Sequence, residues 1–279
     1  MTYDIEKLGK IPPARQDIYL ERDGFSLPMN IYLPESFGAE NNKRTAVIAI
    51  HGGAWYTLLK RNKQWQGGWM SHTCRFLASC GFVALEICYR SRSTAPIADT
   101  VYDVAAAVFY AEENLAKEFN FDKIVVTGDS AGGHLALAAA FLSTHSKMLA
   151  GVAACNPVCD FLTSPWGKLL PNDEDRRRAS PLYLASRVDF PITLIHGDRD
   201  KTVDYNESVD FINKMKALGN NANLVTLKGA EHAFILYGYT TPKEKVDEYN
   251  TQLSEIIAEM GKQCGMRSAE CEIEDKSGK

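Results

Sequence analysis

Near-continuous apolar runs that alternate with amphipathic segments constrain the fold of this chain more than any other feature of its sequence. The runs are short, and the segments between them carry apolar residues at the 3.6-residue spacing of a helix. A strand that is apolar on both faces belongs to a sheet covered by helices on both sides. The alternation therefore predicts an α/β fold with a mostly parallel, doubly wound sheet. The predicted strands are residues 45–53, 82–90, 123–129, 149–157, 192–198 and 222–230, and the predicted helices are residues 67–80, 97–119, 131–145, 206–219 and 242–260.

Three parts of the chain depart from this alternation. Two strand-like segments flank Asp23-Gly24, a turn signal that predicts an N-terminal antiparallel hairpin at the edge of the sheet. Residues 160–189 carry three prolines and a charge cluster, which predicts a small cap insertion over the carboxyl edge of the sheet. Residues 263–279 have no periodicity and predict a flexible tail, so we expect a single domain over residues 1–262.

The composition argues against several classes of partner. The chain has 279 residues, of which 45% are hydrophobic, enough to bury a sizeable core. Its net charge of −4 gives no basic field for nucleic acid. No apolar stretch reaches the roughly 18 to 20 residues of a membrane-spanning helix, so we expect no membrane partner. The first ten residues lack the apolar region of a secretory signal, which predicts a cytoplasmic protein unless a signal has been removed.

The seven cysteines predict neither disulfides nor a metal site. Their number is odd and their spacing is scattered, which is typical of reduced thiols. Cys155 and Cys159 lie four positions apart, but no second pair with zinc-ligand spacing follows. We therefore expect no bound metal.

Ser130 lies where a predicted strand becomes a predicted helix. The stretch Gly-Asp-Ser-Ala-Gly around it matches G-x-S-x-G, the pattern of a nucleophile elbow. Gly128 and Gly132 permit a turn so sharp that the serine hydroxyl projects from the edge of the sheet. The alternative is a glycine-rich turn with a helix-capping serine. We predict that Ser130 is a catalytic nucleophile.

A second glycine-rich turn ends an earlier strand, in the stretch His-Gly-Gly-Ala-Trp at residues 51–55. Adjacent glycines allow backbone N–H groups to approach a developing negative charge, as in the oxyanion loops of esterases. Gly52 and Gly53 would donate together with the N–H of Ala131, which follows the nucleophile. The sequence therefore predicts an oxyanion hole formed by these three residues. A plain glycine turn is the alternative.

Two later strand ends supply an acid and a base. Asp198 and Asp200 both follow the strand at 192–198, and we favour Asp200 because it lies further into the loop, with Asp198 as a turn-former. His232 follows the last predicted strand and is the candidate base. The order serine, aspartate, histidine along the chain is that of α/β-hydrolases.

Other histidines fit other roles. His51 precedes the nucleophile and is expected to order the glycine loop. His134 lies one helical turn after Ser130, so it is predicted to belong to the buried face of the helix. His196, at a strand end, is predicted to be a packed histidine.

From about residue 45 to residue 240, the chain resembles α/β-hydrolases of the carboxylesterase type, in particular the hormone-sensitive-lipase-like and BD-FAE-like groups. The matching stretches are HGGAW, CYRSRSTAPIADTVYDVAAAV, VTGDSAGGHLALAAA, SPLYL, LIHGDRDKTV and GAEHAF. The resemblance implies a triad of Ser130, Asp200 and His232, with Gly53 and Ala131 as the main oxyanion donors and no cofactor. Two features depart from the family: Cys88 stands where an aspartate is common, and the cap is too short for a large lipase lid.

The substrate is predicted only as a class. Trp55 and Tyr56 follow the glycine loop and Trp166 lies in the cap, so these three aromatics are candidate substrate contacts, with loop packing as the alternative. We predict a serine esterase for short-chain or carbohydrate-linked esters of the acetyl or feruloyl type. The alternatives are an amide hydrolase resembling arylformamidases or peptidases, and a non-catalytic binding protein on a hydrolase fold. The sequence does not predict the oligomeric state.

Overall fold

The structure is a computed structural model that describes residues 12–38, 43–57, 65 and 67–274, with side chains as far as residue 262. Its centre is an eight-stranded sheet with the strand order β1-β2-β4-β3-β5-β6-β7-β8. The strands are β1 Arg15–Arg22, β2 Phe25–Tyr32, β3 Arg44–Ile50, β4 Val83–Ile87, β5 Phe121–Asp129, β6 Leu149–Cys155, β7 Ile192–Gly197 and β8 Ala222–Leu227.

Strands β3 to β8 are parallel, whereas β1 pairs with β2 and β2 pairs with β4 in antiparallel register. The predicted doubly wound sheet with an N-terminal hairpin is therefore confirmed. The hairpin turns at Asp23 and Gly24, which both have positive φ angles, of 51° and 75°, as a type I′ turn requires.

Helices cover both faces of the sheet within the described part of the chain. The α-helices are α1 Ser71–Ser79, α2 Ile97–Tyr110, α3 Ala131–Leu142, α4 Asp173–Ala179, α5 Pro181–Leu184, α6 Tyr205–Ala217 and α7 Lys243–Glu274, and a π-helical turn, Ala111–Leu115, extends α2. Side chains of α2, α3 and α6 join the larger hydrophobic core, whereas α1 and α7 pack in the core on the other face. β3 to β7 are buried almost throughout, but β8 is a half-exposed edge strand.

Residues 160–189 form a short cap. It consists of the 3₁₀ helix Pro165–Leu169 followed by α4 and α5. The indole N–H of Trp166 donates to the carbonyl of Thr202, in the loop after β7, at 3.0 Å. The cap therefore lies at the carboxyl edge of the sheet.

The last helix is longer than the sequence predicts. The apolar pattern predicts an end near Met260, but α7 continues to Glu274. The extension contains several good helix formers without an apolar stripe, so periodicity gave no signal for it. Residues 275–279 of the predicted flexible tail lie outside the described residues.

No helix within the described residues is long and apolar enough to cross a membrane.

A buried ion pair joins the end of β4 to α2. The guanidinium of Arg90 donates to the carboxylate of Asp103 through Nε and Nη2, both at 2.9 Å. Arg90 also contacts Asp23 in the hairpin turn, and Arg22 approaches Asp103 at 3.3 Å. Asp103 has no exposed surface, and its charge is compensated by the guanidinium groups of Arg90 and Arg22 and by the backbone N–H of Arg90.

Replacing Asp103 is therefore expected to destabilise the fold. Asp103→Ala leaves the buried Arg90 without its main partner, and we expect a loss of about 3–5 kcal/mol of unfolding free energy, measured by urea denaturation. Asp173→Ala is the matched control, because the Asp173 side chain is 69% exposed and an ion pair of this kind at the surface is worth less than about 1 kcal/mol. Equal losses in the two variants would contradict this prediction.

Candidate active site

Ser130 occupies a strained turn between β5 and α3. Its φ of 55° and ψ of −116° lie outside the regions that residues with a Cβ normally adopt. A Cβ on Gly132 would lie 2.0 Å from the carbonyl oxygen of Ile50, and a Cβ on Gly128 would lie 2.4 Å from the carbonyl carbon of Gly132. The backbones of β3, β5 and α3 therefore meet at a distance that only glycine permits.

The structure brings Ser130, His232 and Asp200 together across 102 residues of sequence. His232 Nε2 lies 2.9 Å from Ser130 Oγ, and His232 Nδ1 lies 2.7 Å from Asp200 Oδ2. A carboxylate can only accept, so Nδ1 carries the ring proton and the lone pair of Nε2 faces the serine hydroxyl. This is the protonation state in which the imidazole can remove a proton from the serine.

Asp200 is held by hydrogen bonds on both oxygens. Oδ1 accepts from the backbone N–H groups of Thr202 and Val203 at 2.8 and 3.0 Å. Oδ2 accepts from His232, and from His196 Nε2 at 3.2 Å. Burial alone would raise the pKa of this carboxyl, but the hydrogen bonds outweigh burial and hold the pKa well below its usual range.

Asp198, the other candidate acid, does not reach the base. It is exposed, and its Oδ1 accepts from the backbone N–H of Gly229 at 2.6 Å. This bond joins the loop after β7 to the loop that carries His232. Asp198 therefore stabilises the loop after β7, in line with the prediction that it forms a turn.

The histidines predicted to be structural are all buried. His51 Nδ1 bonds to the carbonyl of Gly52 at 2.7 Å, and burial lowers the pKa of His51 to about 4. His134 accepts from the indole N–H of Trp55 and bonds to the carbonyl of Ala179, and burial lowers its pKa to about 4 as well. His196 is packed as predicted, but its contact with Asp200 is not expected from the sequence.

The glycine loop after β3 lies against the nucleophile. A Cβ on Gly52 would be 3.3 Å from the Cβ of Ser130. Tyr89 Oη donates to the carbonyl of His51 at 3.0 Å, and also approaches the carbonyl of Gly52 at 3.4 Å. Since the described peptide bonds are all trans, the N–H groups of Gly52 and Gly53 point away from Tyr89.

Ala131 is the third predicted donor. It is the first residue of α3, so its amide has no acceptor one turn earlier within the helix. The predicted oxyanion donors therefore come from two adjacent elements, the loop after β3 and the start of α3. Tyr89, which orders the loop, was missed by the sequence analysis because its contact with residues 51 and 52 crosses between strands.

An aromatic cavity of about 180 Å³ adjoins the glycine loop. Tyr56, Trp65 and Trp69 line its walls, together with Gly52 and Gly53. Trp69 is 57% exposed at the rim. The guanidinium of Arg92 lies over the Tyr56 ring, 4.0 Å from its centre, and stabilises its position. Tyr56 is therefore placed where a substrate group could contact it.

A buried carboxyl group holds Gly68, one of the residues that line this cavity. Glu86 Oε1 accepts from the backbone N–H of Gly68 at 2.7 Å, and Ser71 Oγ donates to both oxygens of Glu86. Burial raises the pKa of Glu86. The sequence offered no signal for this role, because Glu86 lies within an otherwise apolar strand.

Trp55 and Trp166 differ from the prediction in their surroundings. Trp55 is only 1% exposed and does not line the cavity, because its indole donates to His134 and packs against Phe161 and Trp166. The prediction that Trp55 contacts substrate is therefore wrong. The backbone of Trp55 has a positive φ angle, of 60°, and its side chain points into the core. Trp166 is partly buried between Trp55 and the loop after β7, and its substrate contact stays a prediction.

Among the residues that the structure describes, no group of three or more histidine, cysteine, aspartate or glutamate side chains could hold a metal ion.

Replacing Gly52 is expected to disturb the candidate oxyanion site. In Gly52→Ala, the new Cβ would lie 2.8 Å from the carbonyl oxygen of Asp129 and displace the loop. We expect kcat for p-nitrophenyl acetate to fall about 100-fold or more, the typical effect of losing an oxyanion donor. The control in the same loop is Ala54→Gly, which relieves a positive φ of 52° and adds no atom. A Gly52→Ala variant with the wild-type kcat would contradict the assignment.

Asp129 makes stability depend on pH. It is buried beside Ser130, accepts from Asn156 Nδ2 at 3.2 Å, and burial raises its pKa from 3.8 to about 6. Its charged form is therefore disfavoured in the folded state, so stability is lost as pH rises from about 4 through 6. Asp129→Asn removes this titration. We expect the variant to gain up to about 2–3 kcal/mol relative to wild type between pH 4 and pH 7, measured by urea denaturation. If the unfolding free energies of Asp129→Asn and wild type changed in parallel with pH, the assignment of this titration to Asp129 would be refuted.

Comparisons with known proteins agree with this fold. A family model described as "Putative esterase" matches residues 112–260, more than half of the chain, and a model described as "BD-FAE" matches residues 29–161. Esterase LipC of Mycobacterium tuberculosis is 26% identical over 231 residues, which cover 68% of this chain and 53% of LipC. A non-reducing polyketide synthase of Aspergillus calidoustus, ausA, is 29% identical over 138 residues, which cover 46% of this chain and 5% of the synthase.

The chain thus spans about half of the curated esterase and a small part of the synthase. Solved structures match over a greater length. The butyrate-bound structure of a thermophilic esterase, Est2, from Thermogutta terrifontis superposes with a TM-score of 0.73 at 25% identity, covering 90% of this chain and 96% of Est2. The chain therefore belongs to the putative esterase family, among α/β-hydrolases of the carboxylesterase type.

Proposed function

We propose that this protein is a serine carboxylesterase that hydrolyses short-chain or carbohydrate-linked esters, of the acetyl or feruloyl type, through an acyl-enzyme. The observation that carries the proposal is the position of the His232 ring between Ser130 and Asp200, within hydrogen-bond distance of both. The partner is a small-molecule or carbohydrate ester. The mechanism needs no metal, organic cofactor, nucleic acid or membrane.

In the first half of the reaction, Ser130 Oγ attacks the ester carbonyl while His232 Nε2 takes the hydroxyl proton. The carbonyl oxygen becomes negative and is stabilised by the N–H groups of Gly52, Gly53 and Ala131. Collapse of this intermediate breaks the bond to the alcohol oxygen, which receives the proton from His232. The products of this half are an acyl ester of Ser130 and the free alcohol.

In the second half, water replaces the alcohol. His232 removes a proton from the water as its oxygen attacks the acyl carbonyl. The second intermediate collapses, the bond to Ser130 Oγ breaks, and His232 returns the proton to the serine. The released acid leaves the enzyme in its starting protonation state.

The short-chain preference rests on the size of the cavity and of the cap. A cavity of about 180 Å³ beside the glycine loop suits an acyl group of a few heavy atoms up to one ring, since a cavity of roughly 150 Å³ can hold benzene. Solved structures of the Thermogutta terrifontis esterase are described as butyrate bound and propionate bound. The cap at 160–189 is short, which leaves room for a large alcohol.

A substrate panel tests ester against amide hydrolysis. The panel consists of p-nitrophenyl acetate, acetylated xylan, methyl ferulate and N-formylkynurenine, compared by kcat/KM. We expect the highest kcat/KM of the panel for one of the three esters. Faster turnover of N-formylkynurenine than of every ester would replace the esterase assignment by an arylformamidase-like one.

The nucleophile is tested by labelling with a fluorophosphonate. Wild-type protein is expected to be labelled at Ser130, and Ser130→Ala is expected to lose labelling and to lower kcat by about 10⁴-fold or more. Ser143→Ala is a control, because Ser143 is buried at the far end of α3 from the site. A wild-type protein that remains unlabelled at Ser130 would favour a binding protein on a hydrolase fold.

A further inference from the structure

His196 is a fully buried histidine that contacts the carboxylate of Asp200. It lies near the end of β7, four residues before Asp200, and has no exposed surface. Its Nε2 is 3.2 Å from Asp200 Oδ2 and 3.3 Å from the carbonyl oxygen of Val203, and its Nδ1 is 2.7 Å from Ser208 Oγ on α6. The reaction described above assigns this ring no role.

The neighbours of His196 fix which nitrogen carries the proton. Both groups that face Nε2 are oxygens that can only accept, so Nε2 must be protonated. Nδ1 lies within hydrogen-bond distance of the Ser208 hydroxyl, which has a proton to donate to it. The ring of Tyr205 packs edge-on against the imidazole, with 5.6 Å between ring centres, and holds its plane. The side chain is therefore fixed as a donor directed at Asp200 and Val203.

Asp200 Oδ2 consequently accepts from two histidines. The shorter bond comes from His232 at 2.7 Å and the longer one from His196 at 3.2 Å. Two N–H donors on one oxygen compete for the same negative charge. The bond from His196 thus moderates how strongly the carboxylate attracts the proton of His232, and it restricts rotation of the carboxylate.

We propose that His196 is a positioning residue of the esterase reaction, which orients Asp200 through Nε2–H and limits the basicity that Asp200 confers on His232. This inference rests on the proposed function, because it assigns His196 to the same triad. His196 touches neither substrate nor the reacting atoms. It acts only through Asp200.

The proposal predicts a shift in the pH dependence of the reaction. Without the His196 N–H, Asp200 binds the proton of His232 more strongly, so His232 stays protonated to a higher pH and the acidic limb of kcat/KM moves upward. Among the described residues, Asp129 interacts with both His232 and Asp200, Tyr205 bonds to Thr226 through its hydroxyl, and the carboxylate of Glu207, next to Ser208 on α6, accepts from the backbone N–H groups of Cys159 and Asp160. None of these residues is replaced in the variants described below.

The test compares two variants of nearly equal size. His196→Gln retains an amide N–H that reaches the position of Nε2, whereas His196→Met fills a similar volume without a donor. We expect the methionine variant to lose about 10-fold in kcat with little change in KM, and its acidic limb to rise by about half a pH unit or more. The glutamine variant is expected to recover most of kcat and the wild-type limb. Equal kcat values and equal acidic limbs in the two variants would overturn the proposal, whether both variants resemble wild type or both are impaired.

The same samples separate this inference from the proposed function. Wild-type protein is first labelled with a fluorophosphonate, and failure of this labelling counts against the esterase itself. If wild type is labelled, the labelling rates of the two variants test His196 alone, and thermal unfolding checks that both are folded.

A measurement on unmutated protein covers the case in which the methionine variant does not fold. In ¹⁵N-histidine NMR spectra, we expect His196 to be in the Nε2–H tautomer with a slowly exchanging proton. The His196→Gln spectrum assigns the signal. Observation of the Nδ1–H tautomer would overturn the proposal.

Discussion

The site depends on a backbone contact that tolerates no side chain. Gly132, in the first turn of α3, lies against the carbonyl of Ile50 at the end of β3, where a Cβ would be 2.0 Å from the oxygen. This contact brings the start of α3 beside the glycine loop. Ser130 and its neighbour Ala131 consequently lie next to Gly52, although the two segments are almost eighty residues apart in the sequence. This close approach requires a strained backbone conformation at Ser130, which the surrounding strands maintain.

Features that depend on local pattern could be predicted from the sequence. The alternation of apolar runs and helices indicated the parallel sheet, and Asp23-Gly24 indicated the hairpin. The choice of Asp200 over Asp198 followed from position in the loop, and the hydrogen bonds of the two side chains agree with it. These predictions succeed because strand ends, tight turns and glycine pairs are encoded by neighbouring residues.

Features that depend on contacts between distant elements could not be predicted. His196 and Tyr89 carry no motif of their own, and their roles follow only from which carboxylate or carbonyl faces them in the fold. Trp55 was expected at the substrate site because it follows the glycine loop, but a positive φ turns it towards His134. The extension of α7 beyond Met260 has no apolar period, so pattern analysis ended the helix too early.

Buried histidines connect several parts of the site. His134 accepts from Trp55 of the loop after β3 and donates to the carbonyl of Ala179 in the cap, so one side chain on α3 joins both segments. His51 and Tyr89 stack with their ring centres 4.6 Å apart beneath the same loop. These contacts are made by neutral rings, because burial lowers the pKa values of His51 and His134 to about 4. Neither ring therefore changes its charge in the neutral pH range.

The link through His134 has a consequence for how the molecule can change over evolution. Because the cap and the loop after β3 share one anchor on α3, a substitution that shifts one of them also shifts the other. The aromatic residues Tyr56, Trp65 and Trp69 are not part of that anchor. Under the proposed function, substrate range can therefore diverge through these three positions, while the residues around Ser130 stay unchanged.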